Sequence, residues 1–160
     1  MKFRKIILSI SLTLFMLTLT LMPLMVGAHT IESPFTVPLV KGHNNIPIGF
    51  IKVWNDADNL YVLFEIDTGS YPNYAMEESH LHVSTSPLSW FAPGLWLYHH
   101  TYSPPKTYDL YTIPLSSIDG GVSGGTVIYL MAHASICKFK FRCRCCWHIG
   151  SAYGFKFKGS

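Results

Sequence analysis

Glu-Glu-Ser-His-Leu-His-Val-Ser-Thr, residues 77–85, alternates apolar with polar residues and predicts a β-strand with two unlike faces. Because successive side chains of a strand point to opposite sides of a sheet, Leu81 and Val83 share one face. This apolar face belongs in a core. The opposite face carries groups that can bind a metal ion or move a proton, namely Glu78, His80 and His82.

Further strands are predicted on both sides of this stretch from the same period and from the turn residues between them. They cover residues 35–40, 46–54, 60–66, 108–115 and 126–135. The strongest is 60–66, which is apolar on both faces until Glu65, as expected for a central strand of a packed sheet. Short strands separated by turns predict an all-β fold, a single antiparallel β-sandwich of jelly-roll-like type.

A long connection rich in proline and aromatic residues is predicted over residues 86–107. It contains Trp90, Phe91, Trp96, Tyr98, His99, His100 and Tyr102. Aromatic rings supply much buried area, which favours a segment that folds over one end of the sheet and closes the core. The alternative is that the rings stay exposed and stack on sugars, as in a carbohydrate-binding module.

The N-terminus has the pattern of a secretory signal peptide. A basic start, residues 1–5, precedes an apolar run over residues 6–26, and Val26-Gly27-Ala28 supplies small residues for cleavage. Residues 1–28 are therefore predicted to be removed, which makes the protein secreted, extracellular or bound in the cell envelope. An uncleaved membrane anchor is the alternative, because a run of about 20 apolar residues can span a bilayer.

Charge divides the remainder of the chain into two parts. Residues 29–136 hold three basic and nine acidic residues, whereas residues 137–160 hold six basic and no acidic ones. An exported acidic domain excludes nucleic acid as a partner. The predicted organisation is a β-sandwich domain over 29–136, able to fold alone, followed by a basic, cysteine-rich tail over 137–160.

A metal site is one hypothesis for the polar face of the 77–85 strand. His133 lies on a later apolar strand between Ala132 and Ala134. If the two strands pair, Glu78, His80, His82 and His133 could bind Zn or Cu, since three histidines with an open position are a common metal-ligand set. The alternative is that His80 and His82 line a polar outer face and that His133 is a hydrogen-bonded core residue.

Four cysteines fall in the tail, at Cys137, Cys143, Cys145 and Cys146. In an oxidising compartment disulfides are the default, and three pairings are possible. A metal-binding Cys/His group with His148 and a tail without a structural role are the alternatives.

Several short segments carry a resemblance to a known group of proteins. They are Asn-Leu-Tyr-Val (59–62), Glu-Ser-His-Leu-His-Val (78–83), Pro-Gly…Tyr-His-His (93–100), Tyr-Thr-Ile-Pro-Leu (111–115) and Ala-His-Ala (132–134). In this order they resemble a group of uncharacterised secreted and cell-surface β-domain proteins of archaea and bacteria. The resemblance covers residues 46–136 and implies export and an all-β fold, but it implies no activity.

Catalysis is not expected. No nucleophile motif, phosphate-binding loop or dinucleotide fingerprint occurs, and Glu77 and Glu78 point to opposite faces of a strand, so they cannot act as a carboxylate pair. The predicted function is a non-enzymatic structural or interaction domain for adhesion or surface assembly. Its expected partners are itself, other surface proteins or glycans, and its alternatives are metal binding and carbohydrate binding.

Overall fold

The computed structural model describes residues 29–42, 44–87, 92–140, 143–147 and 153–158. The predicted signal peptide, 1–28, lies outside the described residues. Across the described ranges no helix is both long enough and apolar enough to cross a membrane.

The described chain forms nine strands and two short 3-10 helices. The strands are β1 (Phe35–Lys41), β2 (Ile46–Asn55), β3 (Asn59–Ile66), β4 (Tyr74–Ser84), β5 (Tyr98–Lys106), β6 (Tyr108–Pro114), β7 (Val127–Lys140), β8 (Cys143–Trp147) and β9 (Tyr153–Lys158). Sheet A has the order β1-β2-β3-β6, and sheet B has the order β5-β4-β7-β8 with β9 also on β7. All the pairs are antiparallel, which confirms the predicted all-β class.

One hydrophobic core lies between the two sheets. It contains Val62 and Phe64 of β3, Leu81 of β4 and Leu130 of β7, each with no exposed surface. Side chains on β3 alternate between buried and half-buried positions, so this strand has one core face and one outer face. It lies between β2 and β6, so the prediction of a central strand is confirmed, although only one of its two faces is packed in the core.

A β-bulge interrupts β4 between Met76 and Glu78. Met76 is fully buried, and so are Ser79 and Leu81, although an uninterrupted period of two would place position 76 on the other face from 79 and 81. The extra residue, Glu77, restores the phase so that both halves of the strand point side chains into the core.

The predicted connection over residues 86–107 is a strand for part of its length, since β5 covers Tyr98–Lys106 at the edge of sheet B. Its prolines prevented its recognition as a strand, because Pro cannot donate a hydrogen bond to a ladder. Pro is confined to edge strands such as this one. Tyr102 is buried in the core, as expected if the aromatic residues close it, whereas Trp96 is buried outside the core cluster, beside His82. Trp90 and Phe91 lie outside the described residues.

The C-terminal residues belong to sheet B. β7 runs on to Lys140, so it crosses the domain boundary predicted after Ile136. β8 and β9 pair with successive parts of the same β7 edge, Ile136 lying opposite Trp147 and Ala132 opposite Tyr153. Together these two strands form the last ladder of the sheet, on the side of β7 away from β4.

Candidate functional site

The outer face of sheet B carries the predicted polar cluster. On β4, Leu81 and Val83 are buried in the core, while Glu78, His80 and His82 are half-buried on the opposite face. The assignment of the two faces of this strand is thus confirmed.

Strand register brings three histidines into a row across sheet B. His80 lies directly opposite His133 of β7 and also opposite His99 of β5. The His80 and His133 ring centroids are 5.7 Å apart with planes tilted by 58°, and those of His80 and His99 are 6.1 Å apart and nearly parallel, at 19°. His99 was not in the predicted set because β5 was not recognised as a strand. The available signal was a period of two, which puts Tyr98, His100 and Tyr102 on one face of the strand and His99 on the other.

Glu78 lies beside the row. Its Oε2 atom is 3.3 Å from Nε2 of His80. The His80 side chain is only 14% exposed, and among the described residues its Nδ1 atom has no hydrogen-bond partner.

Burial changes the acid–base behaviour of His133. Desolvation, followed by the electrostatic effect of the neighbouring His80, lowers its pKa to about 4, while Glu78 acts in the opposite direction. The imidazole is consequently neutral at neutral pH.

His82 is placed differently from the rest of the predicted set. Its ring lies 6.3 Å from the ring of Trp96, which packs over this end of the sheet. As the side chains stand, no three His, Cys, Asp or Glu residues in the described part of the chain are grouped closely enough to hold a metal ion. The structure therefore brings together Glu78, His80 and His133, and it places His82 against an aromatic neighbour.

Cys137 is fully buried, with Sγ 3.4 Å from the carbonyl oxygen of Ala75. The β7–β8 register sets it opposite Cys146, whereas Cys143 and Cys145 lie opposite lysines of β7. The side chains of those three β8 cysteines fall outside the described residues, and the predicted disulfides remain a prediction.

A buried polar network joins the two sheets, and it was not predicted. Ser79 has no exposed surface, and its Oγ donates to Asp109 at 2.6 Å and lies 2.7 Å and 3.0 Å from the hydroxyls of Tyr111 and Tyr102. His100 Nδ1 is 3.0 Å from the same carboxylate, and its ring stacks on Tyr111 at 4.5 Å. Burial is the main cause that raises the pKa of both tyrosines.

This network is not a catalytic triad. In a Ser-His-Asp triad the imidazole contacts the serine hydroxyl and removes its proton. Here Asp109 lies between Ser79 and His100, and the enclosed hydroxyl cannot meet a substrate. The available sequence signal was a polar residue, Ser79, in phase with Leu81 on the core face.

The outer face of sheet A exposes large apolar side chains. We call it the apolar face; it consists of Phe50 and Trp54 of β2, Tyr61 and Leu63 of β3, and Tyr108 and Leu110 of β6. Phe50, Tyr108 and Leu110 are 41%, 64% and 44% exposed. Trp54 and Tyr61 stack on each other at 5.4 Å with planes 11° apart. An ion pair between Lys52 and Glu65 crosses the same face.

Comparison with known proteins found no matching family model and no match among curated proteins or solved structures. The function of the chain therefore has to be inferred from the chemistry of its two outer faces.

Proposed function

We propose that the protein is an exported, non-enzymatic β-sandwich domain that assembles with a second copy of itself through the apolar face. The observation that carries this proposal is the gathering of exposed Phe50, Tyr108 and Leu110 on one side of one sheet. Contiguous apolar patches larger than a few hundred Å² are rare on monomeric proteins and mark interaction sites.

The size of the face suits a weak interface. Three strands spaced about 4.8 Å apart, each with about seven residues rising about 3.3 Å, give a face of roughly 14 by 23 Å, which is a projected area of roughly 300 Å². The accessible area of an uneven surface exceeds its projection, but an interface that buries less than the roughly 800 Å² per partner of the standard size is typical of weak or transient association.

The charges on the face favour a second copy as the partner. Lys52 and Glu65 lie side by side on adjacent strands, with side chains 33% and 40% exposed. In a two-fold symmetric pair the same patch meets itself, so each copy can set its lysine against the other's glutamate. A face with one cation and one anion near its middle is therefore complementary in charge to itself.

Glycan binding has less support from the aromatic residues. A sugar stacks on an open ring face, but Trp54 and Tyr61 stack on each other, so one face of each ring is covered. In the 86–107 segment, Trp96 and Tyr102 are buried. These four described rings therefore offer little open face for a sugar to stack on.

Sedimentation equilibrium of residues 29–160 tests the proposal. We expect a concentration-dependent dimer in the wild type and a monomer for Leu110→Lys, which puts a charge in the apolar face. Thr101→Lys, at an exposed position on β5 of sheet B, is the matched control and should dimerise like the wild type. A wild type that stays monomeric at about 1 mM, where even weak association is populated, contradicts self-assembly. Equal dimerisation of Leu110→Lys contradicts the choice of face.

A further inference from the structure

We propose that β6 is a docking strand for a second copy of the chain. The β6 strands of the two copies pair antiparallel and join both A sheets into one sheet of eight strands, four from each copy. β6 is available for this contact because it is the last strand of sheet A, next to β3 on one side only. The contact uses the backbone at the edge of the sheet, so it does not depend on the assembly proposed for the apolar face.

One row of backbone groups on β6 points away from β3. Thr107, just before β6, accepts a backbone hydrogen bond of 2.8 Å from Ile66 of β3. Leu115, just after β6, donates one of 2.8 Å to Asp58. Bonding positions recur at every second residue of an antiparallel strand, so the odd-numbered residues of β6 bond to β3. The outward N–H and C=O groups therefore belong to Tyr108, Leu110 and Thr112.

The other edge strands of the two sheets carry features that oppose such pairing. β1 contains Pro38 and a β-bulge, and β5 contains Pro104 and Pro105. β8 and β9 each contain arginine or lysine. Proline, bulges and basic side chains are common means by which edge strands avoid pairing with another chain. β6 has no basic residue, its proline is the last residue, and its register with β3 runs without a shift.

A two-fold axis at Leu110 matches the outward groups of two copies. Antiparallel pairing about this axis sets Leu110 opposite its own copy and Tyr108 opposite Thr112, so that outward groups face outward groups. Each opposed pair of this kind exchanges two backbone hydrogen bonds, which gives about six in all. On the core side the same register sets Asp109 opposite Tyr111, so the carboxylates of the two copies do not meet.

The apolar face favours a second copy over any other extended segment. Tyr108 and Leu110, 64% and 44% exposed, lie on the border strand of that face, so pairing brings the two faces side by side. A projected area of roughly 300 Å² per copy then becomes a continuous surface of roughly 600 Å². Backbone hydrogen bonds are the same with any extended peptide, but this enlarged apolar surface arises only with a second copy.

Amide hydrogen exchange of residues 29–160, measured by NMR at about 50 μM and about 1 mM, tests the pairing. We expect the amides of Tyr108, Leu110 and Thr112 to exchange at least about threefold more slowly at the higher concentration, because the second copy then accepts their hydrogen bonds. The amides of β1 and β5 are the controls and should exchange equally at both concentrations. Equal exchange of the three β6 amides at both concentrations would overturn the proposal.

Two substitutions at one position separate the backbone from the side chain. Thr112→Pro removes an outward N–H group, and proline is tolerated in an edge strand where that group faces solvent. The Leu110 amide of this variant should exchange equally at both concentrations. Thr112→Ala shortens the same side chain but keeps the N–H, so it should behave like the wild type. If both variants behave alike, the pairing is wrong; if Thr112→Pro does not fold, the wild-type exchange still decides.

Phe50→Lys distinguishes this contact from assembly through the apolar face. Phe50 lies on that face but on β2, two strands away from the β6 edge. The variant should therefore lose assembly through the face and keep the slowed exchange on β6. Association of the wild type without slowed exchange on β6 would refute the edge pairing and leave the apolar face as the interface. Association that Phe50→Lys does not weaken, with slowed β6 amides, would support the edge pairing and refute the face.

Discussion

Replacing Ser79 by alanine deletes one hydroxyl that three other buried groups share, and we expect it to lower the free energy of unfolding by about 3 kcal/mol. The donated bond to the Asp109 carboxylate, 2.6 Å long, accounts for about 1.5–3 kcal/mol because its acceptor is charged. The hydroxyl of Tyr102, 3.0 Å from Oγ, then loses a neighbour, which adds to the cost, whereas the hydroxyl of Tyr111 keeps the hydrogen bond that it donates to the carbonyl oxygen of residue 79.

Urea denaturation followed by circular dichroism measures this loss, and a melting temperature lower by roughly 10 °C should accompany it in a domain of this size. Ser123→Ala, at an exposed loop position, is the control and should change stability by less than about 0.5 kcal/mol. If Ser79→Ala costs no more than the control, the network contributes nothing to stability and the reasoning about shared buried hydroxyls is refuted.

Three other predictions concern the backbone, the network and the C-terminal strands. Gly49→Ala should cost at least about 3 kcal/mol in urea denaturation, because its Cβ would lie 2.0 Å from a backbone carbonyl oxygen, while Gly94→Ala, with open space, should be nearly neutral. The pKa of Tyr102 and of Tyr111 is raised above the ordinary 10.0, so their contribution to stability is complete below pH 10 and is lost as pH rises further. When the pH is raised from about 9 to about 11, the free energy of unfolding of a variant with Tyr102→Phe and Tyr111→Phe should therefore fall by less than that of the wild type. Deleting residues 137–160 removes the end of β7 and both strands paired with it, so the truncated chain should melt far below the full one or fail to fold. A sharp, unshifted melting transition would show that 29–136 folds alone.

Local patterning predicted the two faces of β4 correctly over residues 78–84, because beyond the bulge each side chain's environment follows from alternation alone. β5 could not be recognised in that way, since Pro104 and Pro105 interrupt its donors and its pairing with β4 comes from the partner strand. The part of the candidate site that was predicted, the shared face of Glu78, His80 and His82, also follows from alternation. That His80 faces His133 depends on the register between two strands about 50 residues apart, which no local pattern specifies.

The bulge at Glu77 makes the length of β4 more important than the identity of the bulged residue. Glu77 is half-buried and outside the core cluster, so we expect most substitutions there to be tolerated. Deleting Glu77 would restore uninterrupted alternation of side chains along β4. Either Met76 or the pair of Ser79 and Leu81 would then turn outward, and in the second case the histidines would turn toward the core. For the evolution of this chain, a single lost codon at position 77 is therefore a larger step than any point mutation there.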